Sequence, residues 1–335
     1  MRNRTRTAIV AVAALAALAL AAVATAAYTS PKLSVSYAAG NVTRIVASAS
    51  VDNDATARAA IVIPTGTALT TTAAPGTKVG TAKAQVSALA LGGALLPLAG
   101  DIVVAPPGSV PAASQTGCIG PATPQATLML VLQAAGQTIN LPAYIIPTSG
   151  PQAALGAAQL VFCLPPPDLP APVGATFGAK FLSADLTLNG VIGPIAQGAW
   201  VAFWTPWNAG VGTVNAAATV ASPAAIAPGG ITLSGRKVKG VKRLSGRVTQ
   251  AGAGVATKVT ILAGTKRLAT VSARANGAFT YAVPKKSKAT TFRARAVVAG
   301  HDAPAVCGQF GSLGVPCVNA TVSGFTATSG AVRIR

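Results

Sequence analysis

The chain offers little to acid–base chemistry. Its 335 residues include six aspartates (Asp52, Asp54, Asp101, Asp168, Asp185 and Asp302), one histidine (His301) and no glutamate. General acid–base catalysis needs carboxylates or imidazoles held against the reacting atoms, so the supply is short before geometry is considered. His301 and Asp302 are adjacent in Ala-Gly-His-Asp-Ala-Pro. Sequence neighbours rarely build a Ser-His-Asp triad, and no G-x-S-x-G elbow occurs, so His301 reads as a loop residue. Asp52 and Asp54 sit two apart in Val-Asp-Asn-Asp. A turn with solvated acids fits that run better than a calcium site, which wants six or more oxygens. No spacing among Asp101, Asp168 and Asp185 marks a glycosidase pair. Neither a P-loop nor a dinucleotide fingerprint is present. These residues point away from an enzyme and imply no cofactor or metal.

Four cysteines remain: Cys118, Cys163, Cys307 and Cys317. No C-x-x-C occurs and the single histidine makes a zinc site a poor reading. An even count suits two disulfides in an oxidising compartment. Sequence alone allows three pairings, and domain logic favours Cys118–Cys163 with Cys307–Cys317. The three tryptophans, Trp200, Trp204 and Trp207, fall within one strand and its turn. Exposed, they would stack on sugar rings; buried, they would fill a core otherwise poor in aromatics.

Charge is distributed one-sidedly. From Ile231 to Arg335 there are 17 basic residues against Asp302, a net +16, whereas Ala27 to Gly230 holds 6 basic residues against 5 aspartates. The densest run is Arg236, Lys237, Lys239, Lys242, Arg243 and Arg247, with Arg293 and Arg295 on one face of a later strand. Such asymmetry speaks about partners rather than fold. It suits anionic wall polymers, lipid headgroups or extracellular nucleic acid, with no specific nucleic-acid sequence implied.

These groups need elements to position them. Arg2, Arg4 and Arg6 precede an apolar run from Ala8 to Leu20, and Ala24-Thr25-Ala26 fits the A-x-A pattern. This predicts a signal peptide helix over 1–26, cleaved after Ala26, and hence an extracellular or envelope-associated protein. An uncleaved anchor is the rival reading. Beyond it, no helical period is sustained. Leu182, Ala184, Leu186 and Leu188 alternate with Ser183, Asp185 and Thr187, and similar short runs recur between Gly, Pro and Asn. The expected fold is all-β, with two β-sandwich domains: a larger neutral one over 27–220 and a smaller basic one over 231–335. A Pro/Gly/Ala-rich linker over 221–230 separates them. Gln152–Leu160 could form a short helix, and Leu164–Pro172 is an extended proline-rich loop. Asn276-Gly277 predicts a hairpin turn before Ala278–Val283.

The residues Gly246–Ala256, Val259–Ile261, Asn276–Phe279 and Thr291–Ala294 resemble bacterial Ig-like modules related to carboxypeptidase regulatory-like domains. The resemblance covers about a third of the chain and implies a small sandwich acting as spacer or binding module. An acid-rich turn common in that family is replaced here by Arg274-Ala-Asn-Gly277, which removes calcium ligands. More faintly, Phe162–Asp168 and Trp204–Trp207 resemble uncharacterised exported proteins of high-GC Gram-positive bacteria. The expectation is an exported, non-catalytic envelope protein whose cationic Ig-like domain meets anionic envelope polymers. The alternatives are a carbohydrate-binding or adhesive module using Trp200, Trp204 and Trp207, and a secreted hydrolase.

Overall fold

The computed structural model describes Tyr28 and residues 31–38, 41–170, 173–193, 199–226, 229–250, 253–302, 306–307, 317–318 and 321–334. The expected signal peptide lies outside the described residues. The fold is mostly β. The body is built from β1 (Lys32–Ala38), β2 (Val42–Ser48), β3 (Thr56–Pro64), β4 (Lys78–Ala88), β5 (Ala94–Val104), β6 (Ala126–Ala134), β7 (Gln137–Pro147), β8 (Gly156–Cys163), β9 (Ala179–Asn189), β10 (Val201–Pro206) and β11 (Val220–Ile226).

These eleven strands close on themselves. Their order is β1-β2-β9-β4-β5-β6-β7-β8-β3-β10-β11, and β11 returns to β1 through the register Leu33↔Ala224, Ser34↔Ala225 and Val35↔Ile226. Every contact around the ring is antiparallel except this last one, which is parallel. An odd number of strands alternating in direction can close only through one parallel pair. The expected larger sandwich is therefore a barrel. Alternation predicted most of the strands, but whether a sheet closes is set by a pairing between its first and last strands, which local periodicity cannot report.

Side-chain direction follows around the ring without a break. Directly paired residues share a face, so Ile45, Leu186, Ala82, Gly100 and Leu132 form one inward row. Their neighbours Leu130, Leu160, Ile61, Ala202 and Trp204 also point inward, all of them buried. Strands β3 and β10 are buried on both faces. The helix Ala112–Ile119 is tied by the Cys118–Cys163 disulfide to the outward side of β8. On that outer wall Tyr144 is fully buried, and its hydroxyl has no hydrogen-bond partner among the described residues. Burial holds the phenol above its usual pKa. Because an unmade buried hydrogen bond is a net cost, Tyr144→Phe is expected to raise unfolding stability by about 1 kcal/mol. The measurement is the urea midpoint at unchanged slope; a fall would mean that the hydroxyl has a partner in solution.

The remainder comprises β12 (Gly230–Val238), β13 (Val241–Gln250), β14 (Ala253–Gly254), β15 (Lys258–Ala263), β16 (Lys266–Ser272), β17 (Ala278–Ala282), β18 (Thr291–Val298), β19 (His301–Asp302), β20 (Val306–Cys307), β21 (Cys317–Val318), β22 (Thr321–Val322), β23 (Phe325–Thr328) and β24 (Val332–Arg333). One sheet holds β12, β13, β14 and β17; another holds β16, β15, β18, β23 and β24. They share a second core of Leu244, Val248, Val259, Ile261, Phe279 and Phe292, distinct from that of the barrel.

Three boundaries differ from expectation. Residues 221–226, read as linker, are the barrel strand β11, because Ala-rich sequence pairs as readily as any other once both neighbours are present. The basic region also returns to the barrel. Where β10 stops pairing with β11, β22 takes its place through Ala225↔Thr321 and Ile226↔Val322, and Val322 is buried in the barrel core. Gln152–Leu160 is a 3-10 turn running into β8 rather than a helix. Asn276-Gly277 does form a turn, with Gly277 at φ 79°. It does not close a hairpin, since β16 lies in one sheet and β17 pairs with β13 in the other.

Candidate functional site

The six-residue basic run maps onto one hairpin. β12 and β13 pair throughout their length, and the connection Lys239-Gly240 adopts positive φ at both residues, 47° and 75°. That is the geometry of a tight two-residue hairpin turn. The register sets Arg236 opposite Arg243 and Lys237 opposite Lys242, and Lys239 occupies the tip. Arg236, Lys237, Lys239, Arg243 and Arg247 are exposed. Lys242 is half-buried and donates from Nζ to the Ala289 carbonyl at 2.8 Å. Arg247 Nε donates to the Asn276 carbonyl at 3.0 Å. Like charges placed directly across a ladder are destabilising, so the Arg236–Arg243 and Lys237–Lys242 pairs lower the stability of this hairpin.

Arg293 and Arg295 do not join it. They lie on the exposed face of β18, opposite Leu262 and Thr260 of β15. The two sheets enclose their shared core between them, so this face is turned away from the one carrying Arg236, Arg243 and Arg247. Within the hairpin, Arg236, Arg243 and Arg247 share the outward face, whereas Lys237 and Lys242 lie on the face that also carries buried Leu244 and Val248. The eight expected contact residues therefore do not form one surface, because strand period sets the facing of each residue but the stacking of sheets sets which faces coincide. Among the described residues the ion pairs are Arg44–Asp185 and Lys78–Asp101, both in the barrel.

Asp52 and Asp54 both lie near Lys180, and the other aspartates are placed apart. Arg44 reaches Asp185 through two hydrogen bonds at 2.6 and 2.7 Å, which hold that carboxyl below its ordinary range. Asp101 pairs with Lys78 at 2.7 Å. Asp168 accepts from the Gly210 backbone N–H, and Asp52 closes a small turn with Ser50. Asp302 accepts from Thr321 Oγ1.

Trp200 and Trp204 are 0 % exposed. Trp200 Nε1 donates to Tyr37 Oη and Trp204 Nε1 to Ser222 Oγ, each at 2.8 Å. Rings enclosed on both faces cannot stack on an external sugar, so the carbohydrate-binding reading of this strand falls. Trp207 is half-buried, and its Nε1 donates to the Leu164 carbonyl at 3.1 Å. The Cys118–Cys163 bond is present, with Cα atoms 5.7 Å apart. Cys307 and Cys317 face each other in the β20–β21 ladder, and their side chains lie outside the described residues.

One feature had no signal in the sequence. The barrel encloses a cavity of about 150 Å³ whose lining is almost wholly apolar. It exists because Ala47, Ala184 and Ala84 are direct cross-strand partners on the inward face, three successive positions without γ-carbons. Only the register brings them side by side.

No family model matches the chain, and no curated protein matches it. The chain is similar to a solved structure described as giving structural insight into host cell surface retention of a 1.5-MDa bacterial ice-binding adhesin. Identity is 11 % over 92 % of this chain and 99 % of that one, at a TM-score of 0.19, a level that carries no argument.

Proposed function

We propose that this is an exported, non-catalytic envelope protein that associates with anionic envelope polymers or lipid headgroups through its basic C-terminal region. That region is read as an Ig-like sandwich. The observation that carries the reading is the β12–β13 hairpin, where Arg236 faces Arg243, Lys237 faces Lys242 and Lys239 caps the turn. Like-charged pairs in register lower the stability of a hairpin, and a polyanion laid along it converts that repulsion into binding. The two antiparallel sheets over one core support the Ig-like reading. The even cysteine count and the A-x-A pattern at Ala24-Thr25-Ala26 support export.

Binding of this kind is chiefly counterion release and weakens steeply with salt. The full mature chain is expected to bind isolated cell walls in low salt and to elute as salt rises. Replacing Arg236, Arg243 and Arg247 together by alanine should flatten the log–log salt slope by about 3, at roughly 0.9 per anionic contact. Replacing Arg293 and Arg295 should remove a smaller, separate share, since they lie on the other surface. Salt-independent retention, or a triple variant that binds with the wild-type slope, would leave the basic region a solvated spacer.

A further inference from the structure

We propose that one end of the barrel binds the hydrocarbon tail of an amphiphile, with the chain terminus inserted in the interior cavity and the head group left in water. This goes beyond the polyanion reading and does not depend on it.

Native interiors are packed to crystal density with few voids larger than a water molecule. A dry apolar cavity near 150 Å³ is large enough to hold a benzene ring, and this one reaches about that volume. Its deep wall is Ile61, Ala82, Leu130, Leu186 and Trp204, all buried. Towards one end of the barrel the lining becomes half-buried, at Ile139, Leu141, Ala179 and Phe181. There it is roofed by the proline-rich connection between β8 and β9, through Leu164, Pro165, Ala175 and Thr176. Pro165 and Thr176 are exposed. The cavity thus has a closed, apolar bottom and an outlet under a surface loop, a shape suited to a tail rather than to a wholly enclosed solute.

The outlet has a second, independent feature. The antiparallel ring places the β2–β3, β4–β5, β8–β9 and β10–β11 connections at this same end. Eight large aliphatic side chains are exposed among the described residues, and seven belong to these four connections or their edges. They are Val51 after β2, Leu89, Leu91 and Leu95 at the β4–β5 turn, Val173 after β8, and Val211 with Val214 after β10. The eighth, Val297, lies on β18. Solitary exposed aliphatics are ordinary on a protein surface, whereas their gathering at one place marks an interaction site. The connections also touch one another. Gly210 N–H donates to Asp168, and Gly212 approaches Leu169 and Pro166. The crown is larger than a ring-sized ligand would cover. A chain that continues out of the cavity across these side chains accounts for both features, and a small apolar solute accounts for the cavity alone.

The test uses the full mature chain and two isomers of dodecanoic acid, one brominated at the terminal carbon and one beside the carboxyl. Bromine quenches indole fluorescence on contact, and Trp204 forms part of the cavity wall; the measurement is made in a Trp207→Phe background, which removes the indole that bonds to Leu164 at the outlet. Saturable quenching by the terminal isomer, with clearly less from the other at equal binding, is the expected result. Ala84→Leu, which fills the alanine row, and Thr176→Phe, which narrows the outlet from an exposed position, should each weaken binding about tenfold or more. The second variant retains the test if the first does not fold. Equal quenching by both isomers, or undiminished binding by both variants, overturns the proposal. So does association with phosphatidylcholine vesicles without binding of the monomeric acid, which would make this end a bilayer-docking surface instead.

Discussion

Trp204→Ala is expected to destabilise the barrel by about 3–5 kcal/mol, the range for deleting a large aromatic from a packed core. The indole is fully buried on the inward face of β10 and packs against the Phe181 ring at a centroid distance of 6.0 Å. It also donates to Ser222 Oγ on β11. Deletion removes buried area and enlarges a cavity that the alanine row has already opened, and it leaves the Ser222 hydroxyl without that donor. The matched control is Trp207→Ala, in the same sequence cluster but half-buried beyond the end of β10, where a smaller loss is expected. Urea unfolding followed by far-ultraviolet circular dichroism reads both. Equal losses for the two variants would contradict the inward placement of Trp204.

Removing the Cys118–Cys163 bond, by reduction or by the paired change to alanine, is expected to cost about 4 kcal/mol, from the entropy of a loop of 45 residues. The loss should show first in the helix Ala112–Ile119. That helix has eight residues, no side-chain cap and one buried side chain, Ile119. A helix so short is marginal in water by itself, so its position on the barrel wall depends on the covalent tie to β8. Limited proteolysis of the reduced protein should therefore cut within 105–125 before any barrel strand. Non-reducing peptide mapping should also recover Cys307–Cys317, because residues opposite each other in an antiparallel ladder bring their Cα atoms within bridging range. Free thiols at those positions, or a reduced protein that resists cleavage at the helix, would remove these roles.

The elements readable from sequence were those in which alternation meets a clear turn. β9 was legible in Leu182–Leu188, and the alternating runs Arg58–Ile63, Val79–Ala88 and Thr127–Leu132 fall within β3, β4 and β6. The barrel strands missed were β5, β7 and β11, in Ala94–Val104, Gln137–Pro147 and Val220–Ile226. Each contains an internal proline, Pro97, Pro142 or Pro223, a residue that argues against strand when pairing partners are unknown. In the candidate site, charge density marked the hairpin at Arg236–Arg243 without structural help. The burial of Trp200 and Trp204 agrees with the core reading of a chain poor in aromatics. That Arg293 and Arg295 lie on another surface was not legible, because an isolated strand shows two faces and does not say which one is covered.

By itself the sequence determined the mostly β character, the concentration of cations after Ile231 and the poverty of acid–base groups. These are local or compositional properties, carried by residue type and by the period-2 pattern of single strands. Tertiary structure alone decided that the first eleven strands close into a barrel, that Thr321–Val322 returns to complete its wall, and that Ala47, Ala184 and Ala84 meet to leave a cavity. Each of these depends on register between segments far apart in the chain. A shift of one residue would exchange the inward and outward faces of a strand, turning the alanine row to solvent while leaving every local signal unchanged.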